Sequence, residues 1–155
     1  EWNPPSRSKR DKAVHGAEIA AVMLGTQNTD VDMLMIYDAR LLDGTYNAFF
    51  VPSTEPVHLR LSHGYYTFAA FSALARLGTQ VALECNTDGV YAVAASNGER
   101  GAVMISNISG ADQELCIEGV DLAGARWYLI DDRRLLSWSP ELKEIKNNTV
   151  VLIEF

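Results

Sequence analysis

At Gly78 the spacing of apolar residues changes from helical to alternating, and no other feature of the sequence constrains the fold as tightly. Upstream, Tyr66, Ala69, Ala70, Ala73, Leu74 and Leu77 recur at helical spacing across residues 61–77, and Gly78 supplies the left-handed stop. Downstream, short β-rich runs cover residues 80–85, 90–95, 102–108, 114–118, 126–130, 135–138 and 149–155. Asp88-Gly89, Asn97-Gly98, Ser109-Gly110 and Asn147-Asn148 punctuate them, and Asn97-Gly98 is the strongest hairpin signal. About seven short antiparallel runs predict a β-sandwich over residues 79–155.

Residues 1–78 carry mixed signals. Residues 11–26 read as a helix crowded with Ala13, Gly16, Ala17, Ala20 and Ala21. Val14, Ile19, Val22, Met23 and Leu24 leave it almost no polar face, the mark of a helix covered on several sides. Residues 31–38 form a short apolar run after a polar turn, the pattern of a buried parallel strand. Residues 39–56 form a long irregular connection containing Tyr46, Phe49 and Phe50, and loops of that length are usually functional. A strand flanked by helices needs a parallel neighbour, yet only a stub at Glu1-Trp2-Asn3 is on offer. The fold class is therefore α+β: a C-terminal antiparallel β-sandwich preceded by a helix–strand–helix remnant of a larger α/β domain.

Composition narrows the function classes. Among 155 residues, 13 Lys+Arg stand against 20 Asp+Glu, a net charge of −7 that argues against nucleic acid and anionic membranes as partners. The longest apolar run, around Ile19 to Leu24, is too short to span a bilayer. The chain begins at Glu1 rather than Met, which suggests a processed or excised segment and leaves its compartment open.

Two cysteines make no disulfide framework. Cys85 shares parity with Val81 and Leu83 and is expected on the apolar face, whereas Cys116 shares parity with Glu114 and Glu118 and is expected outward. They read as unrelated free thiols, and no nearby His or Cys completes a metal set. No cofactor motif appears: there is no phosphate-cradling glycine loop and no Ser/His/Asp constellation. His58 and His63 read as capping or surface residues, and His15 as exposed or bonded to a neighbouring carbonyl. Asp131-Asp132-Arg133-Arg134 reads as a solvated turn. Asn107-Ile108-Ser109 and Asn147-Asn148-Thr149 match the glycosylation pattern, which short sequences often match by chance.

Several stretches also carry a resemblance. Glu1-Trp2-Asn3-Pro4, the helix stretch from Gly16 through Ala21, and Val31-Asp32-Met33 leading to Tyr37-Asp38-Ala39-Arg40 contribute to it. So do Tyr46-Asn47-Ala48-Phe49-Phe50, the stretch from Gly64 to Phe71, and the closing strand from Thr149 to Phe155. Together they resemble the C-terminal end of a (β/α)8-barrel glycoside hydrolase of the retaining clan that includes the family 39 β-xylosidases. In those enzymes a β-sandwich follows the barrel, so residues 1–78 would be the last barrel units.

The resemblance implies that Glu1 matches the glutamate ending barrel strand 7, the nucleophile. A retaining glycosidase needs a second carboxyl group roughly 5–5.5 Å away. By resemblance that acid/base comes from strand 4, which this chain lacks, so the isolated chain is expected to be inactive. Trp2, Asn3, Tyr37, Asp38, Arg40, Tyr46 and Asn47 are the substrate-binding candidates, since aromatic faces stack on sugar rings and polar groups bond hydroxyls. The bland alternative has Tyr37, Phe49 and Phe50 packing at the barrel–sandwich junction. The implied substrate is a plant-type or other polysaccharide or oligosaccharide, with no cofactor. The remaining partner is either the missing barrel segment or a second copy, docked through residues 11–26 and 31–38.

Two other readings stay open. A carbohydrate-binding module would show an exposed aromatic row from Tyr91, Trp127 and Trp138. An immunoglobulin-like structural domain would carry an unusual helical prefix.

Overall fold

The computed structural model describes residues 1–37, 49–51 and 60–155. Two helices, α1 (Ala13–Gly25) and α2 (His63–Ala75), precede the antiparallel β unit, so the α+β class holds. A small antiparallel pair, β1 (Phe50–Val51) and β2 (Arg60–Leu61), leads into α2. The strands after Gly78 are β3 (Thr79–Val81), β4 (Val90–Ser96), β5 (Gly101–Asn107), β6 (Gln113–Glu114), β7 (Arg126–Ile130), β8 (Leu135–Ser139), β9 (Glu144–Ile145) and β10 (Thr149–Glu154). Six of them form one antiparallel sheet in the order β3-β4-β5-β10-β7-β8, while β6 pairs with β9 in a separate two-stranded sheet.

The sheet has a core on each face, because alternate side chains of a strand point to opposite sides. On one face, Ala17, Ala20 and Leu24 of α1 and Ala70 and Leu74 of α2 pack against Val93, Met104, Ile130 and Leu152. Alanines are what allow this approach: Ser106 Oγ, within β5, donates 2.7 Å to the carbonyl of Ala17. The helix that reads as apolar all round is thus covered within its own chain, by the sheet and by α2. On the other face, Ile105, Trp127, Leu129, Val151 and Ile153 meet Ile145 of β9, with Leu83, Leu115 and Ile117 alongside.

The Asn97-Gly98 hairpin forms between β4 and β5, with Ser96 paired to Gly101 and Gly98 at φ +90°. Asn97 Oδ1 accepts from the backbone N–H groups of Glu99 and Arg100 at 3.0 and 2.8 Å.

Elsewhere the structure departs from the sequence pattern. Residues 31–38 make no strand over their described part: Ile36 alone forms a bridge, while Val31, Met33, Leu34 and Met35 are exposed. A parallel strand needs neighbours, and among the described residues this one has a single partner residue. Among the described residues, the run 80–85 pairs only at Gln80 and Val81, and the run 114–118 pairs at Glu114 with one further backbone bond from Leu115 N–H to the Lys143 carbonyl. Cys85 is consequently exposed, as Val81 is, rather than on the apolar face expected from its parity, because the backbone leaves the sheet before reaching it. Cys116 is exposed as expected, and both thiols are free.

The turn Asp131–Arg134 is more than a solvated link. Asp131 Oδ1 accepts from the N–H groups of Arg133 and Arg134, both at 2.8 Å, and Asp131 also pairs with the Arg134 guanidinium at 2.9 Å. So braced, the turn reaches both helices. Asp132 Oδ1 accepts 3.0 Å from Ala13 N–H at the start of α1, where Lys12 supplies no side-chain cap. His63 opens α2 and is buried, with Nε2 3.0 Å from the Asp131 carbonyl and Nδ1 3.4 Å from that of Arg10. Sequence reading gave His63 a surface or capping role and allowed His15 to be exposed, but both are interior. The Asn107 glycosylation pattern is likewise structural: its buried Nδ2 donates to the carbonyls of Ala111 and Ile145 at 2.9 and 3.0 Å.

Candidate functional site

The site begins at the bridge between the N-terminal stub and the segment after α1. Trp2 N–H donates 3.0 Å to the Met35 carbonyl, and Tyr37 N–H donates 3.1 Å to the Trp2 carbonyl. Bonds from one residue to both flanks of its opposite number are the signature of a parallel pair, here Trp2 with Ile36. This register sets Glu1 beside Met35 and Asn3 beside Tyr37. Each extended stretch is followed by a helix, α1 after the first and α2 after the second.

Alternation then decides which side chains look where. Trp2 and Ile36 share one face and line a pocket of about 420 Å³ with Met23 and Thr26 of the α1 end and Phe68 and Phe71 of α2. Trp2 also borders a second, mostly apolar pocket of about 380 Å³ beside Pro4, Val22 and Tyr91. Its indole Nε1 is buried without a hydrogen-bond partner among the described residues. Trp2, expected as a substrate contact, is thus placed against the helix layer.

Glu1, Met35 and Tyr37 fall on the opposite face, and all three are exposed. Asn3 is half-buried at the rim of the second pocket. Asp38, Arg40, Tyr46 and Asn47 lie outside the described residues, as does His58.

A second aromatic group gathers at the start of α2, which sequence reading left open to junction packing. Phe49 meets Phe68 edge-on at 5.0 Å and Tyr65 at 6.4 Å, and Tyr65 meets Tyr66 at 5.4 Å. Ser62, the α2 N-cap, accepts 3.2 Å from Tyr65 N–H and donates its own N–H to the Phe49 carbonyl at 2.8 Å. Phe49 therefore packs against the first turns of α2. Nearby, burial lowers the pKa of Arg10, opposed by the adjacent Asp11 carboxylate.

The three aromatics that a binding row requires do not line up. Trp127 is buried in the second core, Tyr91 covers Gly25, and Trp138 on the edge strand is 68% exposed. Among the described residues no group of three or more His, Cys, Asp or Glu could hold a metal ion, and no helix is long and apolar enough to cross a membrane.

No protein-family model and no curated protein matches the sequence. Solved structures do. A GH30 endoxylanase from Clostridium papyrosolvens superposes with a TM-score of 0.63 at 12% identity, over 93% of this chain and 38% of that one. A glycoside hydrolase family 30 subfamily 8 xylanase from Clostridium acetobutylicum gives 0.66 at 10% identity, over 93% and 39%. The catalytic domain of GH30 xylanase C from Talaromyces cellulolyticus gives 0.66 at 16% identity, over 93% and 35%.

The chain has the fold of a part of these enzymes. It spans less than two fifths of their length. The neighbours are family 30 rather than family 39 proteins, so the likeness supports a glycoside hydrolase-type fold without the narrower family expected from sequence.

Proposed function

We propose that this chain is the C-terminal part of a retaining glycoside hydrolase acting on a plant-type polysaccharide or oligosaccharide, and that it is inactive alone. One observation carries the reading: the parallel Trp2–Ile36 pair puts Glu1 and Tyr37 on the face turned away from the helices. In a closed barrel that face looks inward, and catalytic groups stand at the C-terminal ends of the strands. Residues 1–78 then supply the last two strand–helix units, and residues 79–155 the accessory β unit.

Within that reading Glu1 is the nucleophile that attacks the anomeric carbon, and a carboxyl group on an earlier strand protonates the departing oxygen. Tyr37 offers an aromatic face to a sugar ring, and Asn3 a carboxamide to a hydroxyl. Without the second carboxyl group a two-strand remnant cannot complete the displacement. The carbohydrate-binding reading is weaker, because its aromatic row is absent among the described residues.

The test is turnover of aryl β-xylosides and of xylan. The 155-residue chain should show none, and the polypeptide carrying its native flanking sequence should show activity that Glu1→Gln lowers by at least about a thousandfold. Turnover by the longer protein that survives Glu1→Gln would refute the assignment.

A further inference from the structure

Asn97 is the one asparagine in the sequence that precedes a glycine, and the fold sets this pair at the tip of the β4–β5 hairpin. Both residues are exposed. A short chain of bonds fixes their polar groups. Asn97 Oδ1 accepts from the N–H groups of Glu99 and Arg100. Gly98 N–H donates 3.0 Å to Ser96 Oγ, which in turn donates 2.9 Å to the Arg100 carbonyl.

These contacts match what ring closure between the two residues requires. Two N–H donors on the Asn97 carboxamide oxygen draw charge from Cγ, and they stand where an oxyanion forms when a nitrogen adds to that carbon. The neighbouring nitrogen, that of Gly98, directs its proton to a hydroxyl rather than into the β4–β5 ladder. No side chain shields it. Among the described residues, a Cβ built at Gly98 meets nothing within 4 Å, and the residue sits at φ +90°. Asp88-Gly89 lacks this freedom: a Cβ at Gly89 would lie 2.6 Å from Ser109 Cα, and the Gly89 carbonyl accepts 2.8 Å from Ile108 N–H.

We propose that Asn97 is a self-modification site, at which the folded hairpin promotes cyclisation onto Gly98 with loss of ammonia. The Gly98 nitrogen bonds to Asn97 Cγ and gives up its proton to solvent base. The Cγ–Nδ2 bond breaks, and the amide nitrogen leaves as ammonia with a proton from water. Water then opens the cyclic imide at either carbonyl. One opening yields aspartate; the other yields isoaspartate, with the backbone rerouted through Cγ. Either product adds a carboxylate two residues from Glu99, and isoaspartate also lengthens the turn by one methylene. The inference is independent of the catalytic assignment of Glu1.

The test follows conversion during incubation of the 155-residue chain at neutral pH. Trypsin releases the peptide ending at Arg100, in which mass spectrometry reads the change from amide to acid. An isoaspartate-specific carboxyl methyltransferase distinguishes the two acids. A synthetic peptide of residues 94–103, which has no sheet to hold its turn, is the reference. The folded chain should convert at least about tenfold faster than this peptide, a fraction of the roughly hundredfold that one oxyanion donor gives an enzyme. It should form both acids, and urea should bring its rate down to that of the peptide.

Ser96→Ala should slow conversion, and Asn97→Gln should abolish it, because closure would then need a larger ring. A folded-chain rate equal to or below that of the peptide overturns the proposal. So does aspartate formed without isoaspartate, which excludes the imide. An unchanged rate in a folded Ser96→Ala chain overturns the part given to its hydroxyl, and the comparison with peptide and urea stands whether or not that variant folds.

Discussion

Gly16 of α1 lies against Thr67 of α2 so closely that a Cβ added at Gly16 would sit 2.9 Å from Thr67 Oγ1. The same Cβ would meet His63 Cβ at 3.1 Å and the His63 carbonyl at 3.2 Å, and Thr67 Oγ1 lies 3.1 Å from the carbonyls of both Gly16 and His63. The helices cross here, and the crossing is what presents their joint apolar face to the sheet.

Gly16→Ala should therefore destabilise the chain despite the better helix propensity of alanine. Overpacking of this kind costs about 1–3 kcal/mol, against a propensity gain of no more than about 1 kcal/mol. Urea unfolding followed by circular dichroism measures the balance. A midpoint raised by the substitution would show that the helices part without penalty.

A local pH response is expected at the β6–β9 corner. Lys146 Nζ lies 2.8 Å from Asp112 Oδ2 and also contacts Glu144, while Asn147 N–H donates 2.9 Å to Asp112 Oδ1. The bond from Lys146 is the main cause that lowers the Asp112 pKa from its ordinary 3.8, followed by the Asn147 N–H. Lys146 is raised in turn, first by Asp112 and then by Glu144.

A carboxylate depressed in the folded state adds stability above its ordinary titration range, and that stability is lost as pH falls through the depressed value. NMR titration of the Asp112 carboxyl should find its midpoint below that of an ordinary aspartate. Lys146→Met should move it upward, and an unmoved midpoint would contradict the pairing. Full exposure of the group keeps the effect on global stability small.

The exposed stretch before Tyr37 should make the isolated chain associate. Met33 is 74% exposed and Met35 58%, next to Val31 and Leu34 in an extended stretch whose described part is held by one bridge. Unpaired apolar edges recruit other edges, and charged side chains block them. Light scattering should show dimers whose dissociation constant rises at least about tenfold, or about 1.4 kcal/mol, when Met33 and Met35 are both replaced by Lys. A monomer at high concentration in the unsubstituted chain would count against a barrel remnant. The helix α1, expected from sequence to share in this contact, is instead spent on the chain's own sheet.

What the sequence made legible was local. The period of α2, the alternation of β4, β5 and β10 and the Asn97-Gly98 turn need only near neighbours, and each appears as read. The small-residue helix was legible as a covered element, but not what covers it. That depends on Ser106 meeting Ala17 and on Asp132 capping Ala13 from 119 residues away, contacts that leave no trace in a short window. β9 is two residues long and carries no period, so alternation could not find it.

The candidate site divides along the same line. Glu1 and Tyr37 share the outer-facing side as the extended pattern requires, whereas Trp2 turns toward α1 and α2 through parity that becomes visible only once its pairing with Ile36 is known.

The most direct test is covalent. A 2-deoxy-2-fluoroxylosyl fluoride slows hydrolysis of a glycosyl-enzyme enough to isolate it, so the polypeptide with native flanking sequence can be labelled, digested and mapped by mass spectrometry. The label is expected on the carboxylate of Glu1, and it should be lost in Glu1→Gln. A stable label on any other carboxylate, or full activity with no label formed, would contradict Glu1 as the nucleophile and the barrel ancestry of residues 1–78 with it.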